Sequence, residues 1–210
     1  MEILKSSPSS IIKVAQAIEE GAVALLPSDV AYALVCSSMQ ELSLKKMRKI
    51  IDVQEDYPVQ AFIHPDDIDK YADLSILSRK IIKEILPAPM VLILRKKPNT
   101  LDLLAPGLSS LGVSWNENPV VAAIYNVIKI PLAFTRAAKS GGQLSRTFES
   151  AKEFGENAVD IALDYGSCKY KEGSGTILDM SSDDIKIIRE GIVPVRKITE
   201  LIQKYRNSEK

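Results

Sequence analysis

The sequence predicts one α/β (α+β) domain, in which a large sheet is covered by helices. Strand-type and helix-type apolar periodicity alternate along the chain, which is typical of this class. The chain has 210 residues, of which 46% are hydrophobic and 26% charged, enough to bury one full core. No repeat or long linker divides it. We therefore expect a single domain over residues 1–210, with a polar tail over 204–210.

The N-terminal half begins with a predicted helix. Ser9 and Ser10 are suited to cap it, its apolar residues share one face, and Gly21 ends it. The continuous apolar run from Ala22 to Leu26 predicts a buried strand. The other elements predicted in this half are a helix over 40–51, a strand over Val59–Ile63, two short helices between Asp66 and Leu86, and a strand over Met90–Leu94.

The C-terminal half continues the alternation. A helix is predicted over Pro119–Ile128, between short strands over Leu111–Ser114 and Pro131–Thr135. The remaining predicted elements are a helix over 148–154, strands over 159–164, 176–180 and 185–189, and a last helix over 196–206. These strands are numerous enough for one large sheet.

Composition excludes several classes of protein. The 27 basic and 27 acidic side chains cancel, which argues against a general polyanion binder. No apolar run reaches the length of about 18 residues that a membrane span needs. Two cysteines and one histidine cannot supply the four ligands of a structural zinc site, so we expect no protein-bound metal. The N-terminal residues lack a signal-peptide pattern, and two buried, free thiols suit a reducing compartment, so we expect a cytoplasmic protein.

Four segments place polar side chains at the ends of predicted strands, where binding sites usually form. They are LLPSDVAYAL, FTRAAKSGGQLS, EGSGTILD and IIREGIV. The paired glycines in the second would let backbone N–H groups approach an anion. Neither a Walker loop nor a GxGxxG pattern occurs. The candidate substrate- or nucleotide-binding residues are Ser28, Asp29, Tyr32, Thr135, Arg136, Ser140, Thr176 and Arg189.

In order and spacing, these segments resemble the YrdC-like domain family of threonylcarbamoyl-AMP synthases. The family motif P-T-[DE]-T-x-Y-G-L appears here as PSDVAYAL, T-S-A-N-x-S-G as TRAAKSG, S-T-[IV]-[VL]-D as GTILD, and I-[IL]-R-x-G as IIREG. The segments PAPMV and LGVSWNENP match P-G-P-x-T and V-x-[VL]-R-x-P-x-[HN]-P. The resemblance runs from about Ala15 to Arg196. It implies a large twisted mixed sheet, flanked by helices, around a concave cleft.

The resemblance also implies an activity of the nucleotidyltransferase type. Family members condense L-threonine, bicarbonate and ATP, which brings Mg²⁺, into threonylcarbamoyl-AMP and pyrophosphate for tRNA modification. A concave basic surface that binds RNA is likewise implied by the family.

Several functional side chains of the family are replaced in this sequence. The family has a K-x-R-P segment before a strand, which corresponds here to IDVQEDYPV. Aligned without gaps, its lysine and arginine fall on Ile51 and Val53. A shifted alignment, with an insertion before Pro58, places Lys46 and Arg48 at these two positions. The other replacements are Val91 for threonine, Ser114 for arginine, Arg136 and Ala138 for serine and asparagine, and Gly175 for serine. Isoleucine, valine and alanine side chains offer a phosphate no donor.

We therefore expect a divergent family member that binds a nucleotide, ATP or another anionic small molecule, with weak or no synthase activity. L-threonine is the less expected ligand. New cations at Arg136, Lys139 and Arg146 would attract the anion from a different wall. Two alternatives stay open: an active synthase with an altered site, and an RNA-binding module whose cations include Arg95 to Lys97.

Overall fold

The strands form one mixed sheet in the computed structural model, which describes residues 1–139, 142–156 and 158–207. In chain order the strands are β1 (Glu2–Lys5), β2 (Ala24–Leu26), β3 (Ala33–Ser37), β4 (Gln60–Phe62), β5 (Met90–Arg95), β6 (Ser110–Ser114), β7 (Leu132–Arg136), β8 (Ile161–Asp164), β9 (Thr176–Asp179) and β10 (Lys186–Arg189). Across the sheet the order is β1-β8-β2-β3-β7-β4-β6-β5-β9-β10. The predicted α/β fold with a large mixed sheet is confirmed.

Helices cover this sheet. They are α1 (Pro8–Glu19), α2 (Glu41–Ile50), α3 (Ile68–Tyr71), α4 (Ile76–Ile85), α5 (Pro119–Ile128), α6 (Phe148–Gly155) and α7 (Val195–Asn207), with a 3-10 turn at Pro65–Asp67 before α3. α1 packs on α5, α2 on β3, and α4 on α7. Within the described ranges, no helix combines the length and hydrophobicity that crossing a membrane requires.

The start of α1 differs from the prediction. Its cap is Ser7, whose Oγ accepts the Ser10 backbone N–H at 3.1 Å, rather than Ser9 or Ser10. Pro8 occupies the first helical position, where its fixed φ and missing N–H are tolerated. The cap therefore comes before this proline.

Two strands were not predicted, and they lie in different environments. β3 is buried along its whole length between β2 and β7, so its side chains show no alternation between apolar and polar residues. β1 is a four-residue edge strand that pairs in parallel with β8, more than 150 residues later in the chain. Local sequence carries little signal for β1, whereas β3 shows the same continuous apolar pattern from which β2 was predicted.

The two cysteines are buried, and the one histidine is partly exposed. Cys36 and Cys168 are buried free thiols, as predicted. The single histidine, His64, is partly exposed and lies directly before the 3-10 turn. It accepts the Asp66 N–H at 3.3 Å, and its ring lies edge-on to Trp115 at 5.0 Å. The chain thus uses its histidine to begin the 3-10 turn.

A buried arginine on α2 holds two loops together. Arg48 is 4% exposed, and its guanidinium donates to the carbonyl groups of Tyr57 (2.8 Å) and Leu103 (2.6 Å). Burial lowers the pKa of Arg48 from its ordinary value. These bonds fix the segment that leads into β4, one side of the cavity described below.

Replacing Arg48 with methionine is expected to lower the free energy of unfolding by about 2 kcal/mol, because buried carbonyl groups lose their donors. Urea denaturation measures this loss. Lys49→Met is the matched control, since Lys49 is exposed on the same helix and its replacement should change stability by less than about 0.5 kcal/mol. An Arg48→Met protein as stable as Lys49→Met would contradict the proposed role.

Candidate functional site

A cavity of about 380 Å³ opens on one face of the sheet. Its walls come from the loop after β2, the starts of β4 and β5, the ends of β6, β7 and β10, and the loop before β9. We call this cavity the cleft. It joins segments from across the whole domain because strand order in the sheet differs from chain order.

Six of the eight candidate residues line the cleft. These are Ser28, Asp29, Tyr32, Thr135, Arg136 and Arg189. Ser140 lies outside the described residues. Thr176 does not line the cleft, although its neighbours Gly175 and Ile177 do.

Thr176 has a structural role at the start of β9. Its hydroxyl is fully buried, donates to the Val193 carbonyl at 2.7 Å, and accepts the N–H groups of Gly191 (3.0 Å) and Val193 (3.1 Å). At Gly191 a Cβ atom would lie 2.1 Å from the Ser174 carbonyl oxygen, so only glycine fits there. Thr176 therefore holds the turn that follows Arg189.

The hydroxyl of Tyr32 is also occupied by the backbone. It donates to the Gly166 carbonyl at 3.2 Å and accepts the Tyr165 N–H at 3.1 Å. Burial raises the pKa of Tyr32 well above its ordinary value, so the phenol stays neutral. Its ring packs against Phe148 at 5.9 Å between ring centroids. The side chain thus belongs to the core beneath the cleft.

Ser28 and Asp29 hold the loop after β2 in place. The Ser28 hydroxyl donates to the Ala31 carbonyl at 2.5 Å. Asp29 is 2% exposed, and its Oδ2 accepts the Glu117 N–H at 2.8 Å. Burial raises the pKa of Asp29, with the backbone N–H bond opposing that rise. Among the described lining residues, Asp29 is the sole acidic one.

Two arginines supply positive charge to the cleft. Arg136 is exposed at the end of β7, and its guanidinium makes no hydrogen bond or ion pair with the described part of the chain. Arg189 is exposed at the end of β10 and donates to the Gly175 carbonyl at 2.8 Å. An anion between these walls would meet two guanidinium groups.

Arg146 is not available as the third cation that the sequence predicted. Its guanidinium donates to the carbonyl groups of Val30 (2.9 Å), Tyr170 (3.1 Å) and Gly173 (2.5 Å). It therefore ties the loop after β2 to the loop before β9. Lys139 is exposed and does not line the cleft.

The replaced family positions fall into two groups. Val91, Ser114 and Gly175 line the cleft, and the Ser114 hydroxyl donates to the Met90 carbonyl at 2.6 Å. Ile51 is buried, and Val53 borders a separate surface groove.

The shifted alignment of K-x-R brings no cation to the cleft either. Lys46 forms an ion pair with Asp160, and the Arg48 guanidinium binds carbonyl groups behind the cleft wall. Neither residue lines the cleft. A cation from this motif is thus absent from the described lining in both alignments.

Sequence reasoning missed several residues of the described cleft lining, among them two aromatic residues and an asparagine. Phe62 and Phe134 stack with ring centroids 3.7 Å apart and an interplanar angle of 8°. Their placement on paired strands β4 and β7 was the available signal, because both face the same side of the sheet. Asn116 also lines the cleft, and no sequence pattern identified it.

The described part of the chain brings together no group of three or more histidine, cysteine, aspartate or glutamate side chains that would hold a metal ion. What the cleft offers is two guanidinium groups, one buried carboxylate, an amide and an aromatic floor. This combination suits an anionic ligand with an apolar part.

Comparison with known sequences agrees with the predicted resemblance. The sequence model of the Sua5/YciO/YrdC family, described as "Telomere recombination", matches residues 16–191. A putative threonylcarbamoyl-AMP synthase of Methanocaldococcus jannaschii is 30% identical over 182 residues, covering 86% of this chain and 85% of the relative. The threonylcarbamoyl-AMP synthase of Mus musculus is 23% identical over 196 residues, covering 90% of this chain and 69% of the relative.

Solved structures show the same fold. P. abyssi Sua5 complexed with L-threonine superimposes with a TM-score of 0.88 at 18% identity, over 96% of this chain; the match spans only 60% of the P. abyssi chain. E. coli YciO superimposes with a TM-score of 0.81 at 18% identity, over 91% of this chain and 95% of its own. Since the family model spans most of the sequence, this chain belongs to the Sua5/YciO/YrdC family, which includes threonylcarbamoyl-AMP synthases.

Proposed function

We propose that the cleft binds a nucleotide or another small anion, and that the chain has weak or no threonylcarbamoyl-AMP synthase activity. The observation that carries this proposal is the loss of donors from the lining. Valine and glycine occupy positions where the resembling family has hydroxyl groups, at Val91 and Gly175. Loss of a single well-placed donor typically lowers a rate by about 10²–10³.

Ser114 adds to this loss. It occupies the position of a family arginine, and its hydroxyl already donates to the Met90 carbonyl. A serine in this state gives a phosphate neither charge nor a free donor. Three of the replaced positions thus leave the same cavity without the side chains that the family chemistry would use.

Anion binding is supported by the two arginines. Arg136 and Arg189 come from different strands and line the same cavity. A guanidinium can hold a phosphate or carboxylate through two parallel N–H bonds. Arg136 occupies a family serine position, so this cation is a property of the chain rather than of the motif.

L-threonine has less support as a ligand. The solved relative with L-threonine bound is P. abyssi Sua5, only 18% identical to this chain. Here the positions of the K-x-R cations hold Ile51, which is buried, and Val53, which lies outside the cleft. An amino acid carboxylate would have to compete with phosphate for the two arginines.

Magnesium would enter with the nucleotide rather than bind the protein first. Asp29 is the one carboxylate among the described lining residues, and the Glu117 N–H already occupies its Oδ2. Mg²⁺ prefers an octahedral oxygen shell, which a single buried carboxylate cannot supply. Residues of the cleft thus fit Mg²⁺ only as a companion of ATP phosphates.

Both alternatives have weaker support. An active synthase that uses Thr176 would need a hydroxyl which the turn at Gly191 and Val193 already occupies. An RNA-binding face would need free cations, yet Lys96 pairs with Asp102 and the Arg146 guanidinium binds backbone carbonyl groups. Arg95 borders a separate groove.

The expected outcome of a synthase assay is little or no L-threonine-dependent pyrophosphate release from ATP, bicarbonate and Mg²⁺. The rate should be at least about 100-fold below that of an active family member, because several donors at the reacting phosphates are missing. The Mus musculus synthase, assayed in parallel, is the positive control. Comparable rates for the two proteins would disprove the loss of activity.

Arg136→Gln should weaken the binding of ATP or pyrophosphate by about tenfold, the effect of removing one hydrogen bond to a charged group. Isothermal titration calorimetry measures the change. Lys83→Gln removes the same charge from the exposed surface of α4 and should leave the dissociation constant within about twofold. Equal affinities of the two variants would remove Arg136 from the anion site.

A further inference from the structure

We propose that Asn116 is a ligand-binding residue of the cleft, and that the cleft selects a compact, singly phosphorylated ligand over a triphosphate. This inference rests on the proposed function, because it names the class of anion that the same cleft would take. Asn116 occupies the position of a proline in the family motif V-x-[VL]-R-x-P, so its amide is a feature of this chain and not of the motif.

The Asn116 side chain is buried without a partner. It is 8% exposed, lines the cleft, and its Oδ1 is fully buried with no hydrogen bond. The amide nitrogen likewise donates to no atom in the described ranges. An amide carries two donors and an acceptor, and leaving the buried Oδ1 acceptor unpaired is costly. An anion in the cleft would accept a hydrogen bond from the NH₂ group, since Oδ1 is itself an acceptor.

The amide stands close in sequence to the lost cation. Ser114 replaces the family arginine, and Asn116 follows two residues later at the same end of β6. Rotation about χ2 exchanges the amide oxygen and nitrogen, so the NH₂ group can point to either side. Asn116 would therefore give the anion a neutral donor, where the family offers a charged one.

The charge of the lining limits the charge of the ligand. Arg136 and Arg189 are the cations among the described lining residues, and Asp29 carries a negative charge when ionised. The lining thus sums to a single positive charge. A phosphomonoester carries about −1.5 to −2 charges at pH 7, and each added phosphate increases that number. A triphosphate would leave more negative charge uncompensated beside the buried Asp29.

The size and floor of the cleft indicate an aromatic body. Its volume of about 380 Å³ lies near the lower end of the range of ligand pockets, about 300–1,000 Å³. The rings of Phe62 and Phe134 stack and both line the cleft; Phe62 is only 1% exposed, so the aromatic surface comes mainly from Phe134. Aromatic ligands gain energy from offset or edge contacts with such rings. A nucleoside monophosphate has both the charge and the shape that this lining favours.

Calorimetric titration of the protein with AMP, ATP, adenosine and pyrophosphate tests the selection, with ATP measured both with and without Mg²⁺. Without Mg²⁺ we expect AMP to bind at least about fivefold more tightly than ATP, because the extra phosphates lack partners. Mg²⁺ neutralises part of the triphosphate charge and should narrow this difference. If Mg²⁺-free ATP binds as tightly as AMP, the selection for one phosphate is wrong while the anion cleft stands. If AMP, ATP and pyrophosphate all fail to bind, the proposed function fails as well.

Substitution of Asn116 tests its role separately. Asn116→Leu should weaken AMP binding by about tenfold, the loss of a hydrogen bond to a charged group, while adenosine affinity stays unchanged. Its melting temperature should be equal to or above that of the natural chain, because an unpaired buried amide is removed. A purely structural asparagine would instead lose stability and keep its AMP affinity. That result would overturn the proposal.

Two further variants complete the design. Asn126→Leu makes the same replacement at an exposed position of α5 and should not alter AMP affinity. Asn116→Asp keeps the side-chain shape if the leucine variant does not fold. Its negative charge should weaken AMP binding by at least about tenfold. Unchanged AMP affinity in Asn116→Asp would show that the amide lies outside the anion site.

Discussion

Backbone carbonyl groups in the loops around the cleft need donors, and the side chains that supply them decide what remains for a ligand. Buried carbonyl oxygens are costly when left unpaired. Arg146 satisfies three of them and joins two loops of the cleft. Arg48 does the same behind the start of β4. Together with the sheet, these bonds fix the separation of the cavity walls.

This use of donors explains why matching motifs do not imply matching chemistry. Thr176 and Tyr32 agree with the family pattern, yet both hydroxyl groups bind backbone. Arg136 departs from the pattern and lines the cleft, and its guanidinium has no partner among the described residues. A side chain at a motif position can therefore bind a ligand only if its donors and acceptors are not already used by the backbone.

The sequence predicted the sheet and the cleft lining more successfully than the roles of single polar groups. Continuous apolar runs located β5 and α5 almost to the residue, because a strongly patterned segment determines its own structure. β3 was missed although its apolar run resembles that of β2, and β1 was missed because its partner lies far along the chain. The unpaired amide of Asn116 depends on packing between segments, which no local pattern encodes.

The position of β8 in the sheet also has a kinetic consequence. β8 comes late in the chain, yet it lies between β1 and β2 and pairs in parallel with both. β9, later still, completes the other half of the sheet beside β5. Such long-range parallel pairings slow folding, because the entropy cost of closing a long loop comes before the stabilising contacts can form. During synthesis on a ribosome, β1 and β2 can pair with β8 only after most of the polypeptide has been made.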